Sequence, residues 1–383
     1  MKKSILIITL LLIGLSLFSQ PQRIADSDTY WEFRNDTLFI TGTGDMPDFE
    51  NGITPWAFID TIHSYLEIEN GITRIGDHAF TSHRGFKSSL TIPSSVISIG
   101  NYAFFCCGFN GSLILSSSIT EIGYMAFMSC PFIGDLVLPP SLTEIKPSTF
   151  CHCYGFTGSL IIPSSVTTIG EWAFADLGLI SSLIIPSSVT TIETFAFRYC
   201  TGLDSVVIPS SVNSIDFGAF YGCSGLISLT LPSGLNTIQG EAFKQCSGLK
   251  TIINMNPEPI VIDASVFSGV NKSTCILKVD AEYLSLYQQA PVWQDFLIEP
   301  LSVKETQEWE NSLVIFPNPV KETLNIQTVS TVEQVTFYDI TGRIVKQFYN
   351  PNQELNISDL PNGLHLIKIL TLEGECVRKI IKD

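Results

Sequence analysis

Between Ile68 and Ile253 the apolar and polar positions follow one phrase that recurs eight times. Its first half reads Leu-x-Ile-Pro-Ser-Ser-Val-x-x-Ile-Gly. The proline slot falls at Pro93, Ser116, Pro139, Pro163, Pro186, Pro209 and Pro232, in steps of 23 or 24 residues. Its second half, Ala-Phe-x-x-Cys, keeps the same beat at Phe80, Phe104, Phe127, Phe150, Phe174, Phe197, Phe220 and Phe243. The alternation Leu-x-Ile predicts a short strand whose alternate residues face inward, such as Leu90 with Ile92 and Leu160 with Ile162. Proline then ends the strand, because it has no N–H to give to a ladder. Ser-Ser turns the chain, Val-x-x-Ile returns it to the core, and Gly-x-x-Ala-Phe makes a short helical turn or irregular corner.

A unit this short cannot bury its apolar side without neighbours, and a fixed period of about 20–29 residues is that of a leucine-rich-repeat solenoid. The predicted fold is mainly β. It comprises a leucine-rich-repeat solenoid of about eight 23-residue repeats with N- and C-terminal caps, followed by a small antiparallel β-sandwich domain. With strands about 4.8 Å apart, eight turns make a rod of about 40 Å.

The flanking segments break the pattern. Residues 1–20 hold two lysines, an apolar run from Ile5 to Phe18 and then Ser19-Gln20, a secretory signal peptide rather than a membrane span. Residues 21–66 read as an N-terminal cap, with a hairpin over Tyr30–Phe33 and Thr37–Thr41 turning at Asn35-Asp36. The solenoid proper covers 67–253. Residues 254–300 form a C-terminal cap, in which Val266-Phe267 is an imperfect echo of the repeat, Ile276–Val279 is a last strand, and Tyr283-Leu284-x-x-Tyr287 has helical spacing. The polar stretch 301–312 is a linker. From residue 313 to 383, six strand-length runs parted by Gly, Pro and Asn turns predict the separate sandwich domain.

Charged residues make up only 15% of the chain and sum to −16. That excludes a basic stripe for nucleic acid or an anionic membrane, and no run after the signal peptide is long enough to span a bilayer. Ten cysteines in an exported chain suggest disulfides. However, Cys107, Cys130, Cys153, Cys200, Cys223 and Cys246 share a slot that is Leu177 in another repeat, so a stacked ladder of buried thiols is expected. A zinc site combining Cys151-His152-Cys153 with Cys106-Cys107 fails on distance, since two turns separate the pairs by about 10 Å. No metal or cofactor is expected, and no spacing assembles a nucleophile, base and oxyanion donors, so no catalytic residue is expected either.

The repeat phrase with its Ala-Phe-x-x-Cys ending closely resembles the BspA-like leucine-rich repeats of bacterial surface proteins over residues 68–250. The resemblance implies an adhesin or surface binding protein, some relatives engaging host matrix proteins. The tail resembles the C-terminal sorting domain of the type IX secretion system. The matching stretches are Phe316-Pro317-Asn318-Pro319-Val320, Tyr338-Asp339-Ile340-Thr341-Gly342-Arg343, Leu360-Pro361-Asn362-Gly363 and Lys379-Ile380-Ile381-Lys382. His365 stands where that family usually has Tyr or Phe. The resemblance implies passage across the outer membrane by the type IX machinery and a secreted or cell-surface address.

Two sets of positions are candidates for contact. Outward from the main strand lie Thr91, Ile114, Val137, Ile161, Ile184, Val207 and Thr230, an apolar stripe with threonine at both ends. β-Branched residues suit any strand slot, but contiguous exposed apolar area also marks contact surfaces. Two residues before the phenylalanine, the slot varies while the core does not, and Tyr102, Trp172 and Phe195 are secondary candidates there. The expected function is a non-enzymatic, adhesin-like binding protein for a host or environmental protein or glycan. The alternative is a structural component that self-associates into a surface layer.

Overall fold

A computed structural model describes residues 20–50, 53–59, 64–178, 183–301, 313–328, 332–338, 343–349, 351–371 and 375–383. Apart from Gln20 and Leu301, the expected signal peptide (1–20) and linker (301–312) lie outside the described residues.

Each repeat is one turn of a parallel β-coil. The Leu-x-Ile phrase gives two- to four-residue strands such as Leu113–Ile114, Leu160–Ile161 and Ser228–Leu231. They pair in parallel with the equivalent residues of adjoining turns, as Leu136 with Leu160 and Val206 with Leu229. The Val-x-x-Ile phrase, expected only to re-enter the core, forms further parallel strands in two runs, one ending at Glu121–Ile122 and one from Glu144–Ile145 to Thr237–Ile238. Two residues per strand are too few to show an alternation, which is why periodicity alone did not reveal them. The second serine of the turn ties rungs together. Ser118 and Ser188 donate their hydroxyls to the carbonyls of Val96 and Val166 on the preceding rung, at 2.8 and 2.7 Å.

The interior is a column of phenylalanine rings. Phe80, Phe104, Phe127, Phe150, Phe174, Phe197, Phe220, Phe243 and Phe267 stack with centroids 5.1–5.9 Å apart and planes within 20°. All nine are fully buried, and truncating one buried phenylalanine to alanine typically removes about 3–5 kcal/mol of stability. The echo at Val266-Phe267 thus adds a ninth ring to the column. Nor is Ile276–Val279 the last strand, because Leu297–Pro300 pairs beyond it.

Both ends of the column are closed by aromatic residues. At the start, Thr29–Arg34 and Thr37–Gly42 form the expected hairpin, turning through Asn35 and Asp36 at φ 49° and 58°. The second of these strands then joins the coil in parallel with Tyr65–Ile68. Trp56 lies on Phe80 at 5.6 Å and donates Nε1–H to the Ala79 carbonyl at 3.1 Å. At the far end a short helix, Leu284–Tyr287, and the turn Trp293–Asp295 place Trp293 against Phe267 at 5.6 Å. Trp293 Nε1–H reaches the Ile260 carbonyl at 2.7 Å.

The tail has its own core, built around Val335, Phe337, Ile367, Ile369 and Ile380. One sheet holds Val314–Phe316, Thr323–Gln327 and Glu354–Asn356, and the other holds Ile344–Tyr349, Val332–Tyr338, Gly363–Thr371 and Glu375–Lys382. The ladders joining these strands are antiparallel, as the sequence predicted.

Candidate functional site

The lateral strand face is not uniform. Ile114 is 53% exposed and Val137 51%. Thr91 is exposed, while Ile161, Val207 and Thr230 are half-buried. Ile184 is only 8% exposed, which removes it from any open face. It lies one rung beyond Ile162, whose carbonyl accepts a 2.9 Å hydrogen bond from Gln327 Nε2 of the tail. Ser164, Ser165, Ser187 and Ser188 of the coil share one cavity with Thr323, Val332 and Gln353 of the tail. The open apolar stretch is therefore centred on Ile114 and Val137. Ile133, 50% exposed and four residues before Val137, lies outside the strand phrase and so has no signature in the repeat.

The varied slot has a backbone cause. His78, Tyr102, Met125, Ser148, Trp172, Phe195, Gly218 and Glu241 all have φ between 52° and 61°. Four residues later Ser82, Cys106, Ser129, His152, Asp176, Tyr199, Gly222 and Gln245 are left-handed again, with φ of 55° to 73°. Each corner thus turns on two left-handed residues, a conformation that costs an L-residue about 1–2 kcal/mol. Rung-to-rung bonds hold it there: Tyr102 N–H to Tyr124 O, Phe104 N–H to Ala126 O and Cys106 N–H to Met128 O, at 2.8–2.9 Å.

Tyr102, Trp172 and Phe195 are half-buried rather than free anchors. Tyr102 stacks on His78 at 4.7 Å, and Trp172 meets Phe195 at 4.7 Å. The Arg198 guanidinium covers Trp172 at 4.8 Å and Tyr199 at 4.5 Å.

The cysteine slot is a ladder of thiols. Cys107, Cys130, Cys153, Cys200, Cys223 and Cys246 are buried and unpaired with one another. Each donates S–H to the carbonyl of a ladder phenylalanine on the preceding rung, from Phe80 to Phe220, at 2.9–3.2 Å. Burial pushes the thiols of Cys130, Cys153, Cys200 and Cys223 well above their ordinary range. Cys275 is also buried and unpaired, and the side chain of Cys376 lies outside the described residues.

In the tail, Asn318 sits between Pro317 and Pro319 and clamps the final strand. Its Oδ1 accepts from Ile381 N–H at 2.8 Å and its Nδ2 donates to Lys379 O at 3.2 Å. Gly363, at φ 129°, follows Pro361. His365 fills the aromatic slot of the resemblance, 3% exposed, with Nε2 2.8 Å from the Pro361 carbonyl. Arg343 is exposed at the start of a strand, whereas Asp339 and Gly342 lie outside the described residues.

Comparison with protein-family models gives a BspA type leucine rich repeat region over residues 51–179 and 174–287, and a secretion system C-terminal sorting domain over residues 314–383. Among solved structures, a leucine rich cell surface protein from Faecalibacterium prausnitzii A2-165 is 20% identical. That match covers 75% of this chain and 97% of the other, with a TM-score of 0.43. A leucine-rich repeat protein from Bacteroides ovatus ATCC 8483 is 17% identical, with 73% and 100% covered and a TM-score of 0.41. The leucine rich repeat protein of T. pallidum is 24% identical, with 61% and 89% covered and a TM-score of 0.34. Comparison with curated proteins finds no match. The chain belongs to the BspA-type leucine-rich-repeat family and, through its type IX sorting tail, is a secreted, cell-surface protein.

Proposed function

We propose that the solenoid is a non-catalytic, adhesin-like binding module that holds a protein or glycan of its surroundings on the lateral strand face. The observation that carries this reading is the pair Ile114 and Val137, two large aliphatic side chains half exposed on successive rungs of a rigid coil. They occupy the same outward slot of two successive turns, so a partner meets neighbouring aliphatic side chains rather than scattered contacts. The family and its surface address support the same reading.

The double variant Ile114→Lys/Val137→Lys tests the assignment on immobilised extracellular-matrix glycoproteins and a glycan panel. Capture should fall at least tenfold while stability stays within about 0.5 kcal/mol, as for exposed sites generally. Undiminished capture would overturn it. The same strip could join two copies of the chain into a surface layer. Light scattering separates the readings, since concentration-dependent growth that the double variant abolishes would favour self-association.

A further inference from the structure

We propose that Cys151, His152 and Asp176 form a binding site for a single borderline-soft divalent cation, zinc(II) in chemical type, on the corner between two successive rungs. Sequence spacing groups Cys151 and His152 only with Cys153 and the Cys106-Cys107 pair, a combination that fails on distance. Cys153 is committed to the core, where its thiol donates to the Phe127 carbonyl at 3.0 Å. Cys151 belongs instead to the corner. His152 and Asp176 occupy the same left-handed slot of adjacent rungs, with φ of 60° and 61°. Their side chains leave the coil one above the other, and His152 Nδ1 lies 3.0 Å from Asp176 Oδ2.

One thiol sulfur, one imidazole nitrogen and one carboxylate oxygen thus fall within 4.8 Å of one another. A tetrahedral zinc ion, with bonds of about 2.0–2.3 Å, holds its ligand atoms roughly 3.3–3.7 Å apart. The histidine–aspartate contact would open by a few tenths of an ångström, and the thiol would close in by at most about one. Cys151 is only 2% exposed, whereas the side chains of Asp176 and His152 are 14% and 34% exposed. The donor set therefore has one wet side, where water can complete the tetrahedron. Tyr154 Oη, also 3.0 Å from His152 Nδ1, belongs to a side chain 63% exposed and can swing away.

The donor chemistry selects the ion. Thiolate with imidazole and carboxylate suits zinc, while calcium and magnesium take oxygen. Coordination releases the Cys151 thiol proton to solvent. The rival arrangement is an ion pair alone, with Asp176 balanced by His152 and by the neighbouring Arg198 charge.

The test is cobalt(II) titration of the full chain, reduced and stripped with chelator. One equivalent should bring up a thiolate-to-cobalt charge-transfer band and tetrahedral visible absorption. Zinc(II) should abolish both and raise the melting temperature. Cys151→Ser should lose the band, Asp176→Asn should weaken cobalt binding at least tenfold, and Cys106→Ser should change neither. No saturable band, a band that persists in Cys151→Ser, or one that follows Cys106 overturns the proposal. Should Cys151→Ser fold poorly, His152→Ala and Asp176→Asn decide, and unchanged affinity in both overturns it. An equal loss of melting temperature in Asp176→Asn with and without zinc(II) also overturns it, leaving the ion pair only. The lateral-face reading is untouched by any of these outcomes.

Discussion

A buried thiol that already donates to a carbonyl behaves as a small apolar residue with one polar contact, and its chemistry is suppressed accordingly. Raised thiol pKa values mean that the reactive thiolate is scarce. For Cys275, pushed to about 12 by burial, roughly one molecule in ten thousand is ionised at pH 8. Of the described cysteines only Cys106 is partly exposed, and burial raises its thiol as well. Alkylation with iodoacetamide followed by peptide mapping should therefore modify Cys106 first, and label Cys107 through Cys246 of the ladder only after denaturation. Prompt native labelling of Cys200 or Cys223 would mean that the column is open. The ladder itself was legible, because Leu177 in a cysteine slot marks that slot as apolar. The role of Cys151 was not. It depends on Asp176, a neighbour one rung away whose relevance appears only when rungs are laid over one another.

At the scale of the element, the corner is the part the sequence hid. Sixteen positions in eight rungs adopt left-handed φ, and none carries Val, Ile or Thr. That exclusion was a readable signal, since a branched Cβ fits this conformation worst. Variation in one slot suggests exposure, yet here the backbone is held by rung-to-rung hydrogen bonds and the side chains need only be unbranched at Cβ. Met125→Val should therefore destabilise the coil by about 1–3 kcal/mol, measured by denaturant unfolding, while Met125→Gln should be nearly neutral. Equal effects of the two would show that packing of the methionine, rather than its backbone, sets the cost. The strands were easier. Leu-x-Ile announced the lateral ladder, whereas strands such as Thr191–Ile192 are stabilised by the rungs on either side and have no local signature.

For the whole molecule, each rung touches only its neighbours, so stability sums along the rod and the ends decide where it opens. Trp56 closes one end of the phenylalanine column with a ring fully buried between Phe49 and Phe80. Trp56→Ala should cost about 3–5 kcal/mol at that end. Hydrogen exchange should then accelerate first around Phe80 and Phe104 while the rungs at Phe220 and Phe243 keep their protection. A uniform loss along the rod would show that the coil unfolds as one block.

The period, the inward leucines and isoleucines, the hairpin and the antiparallel tail are legible in the chain alone, because they rest on local patterns of apolar and turn residues. The ends of the coil are legible as well, since a coil must cover its last apolar face. The second strand of the repeat, the ninth ring at Phe267, and the exposure of Ile114 and Val137 but not Ile184 emerge only in three dimensions. Exposure at a given rung depends on what comes to lie against it. Gln327 reaches Ile162 across 165 residues of chain, a distance over which no repeat period carries information.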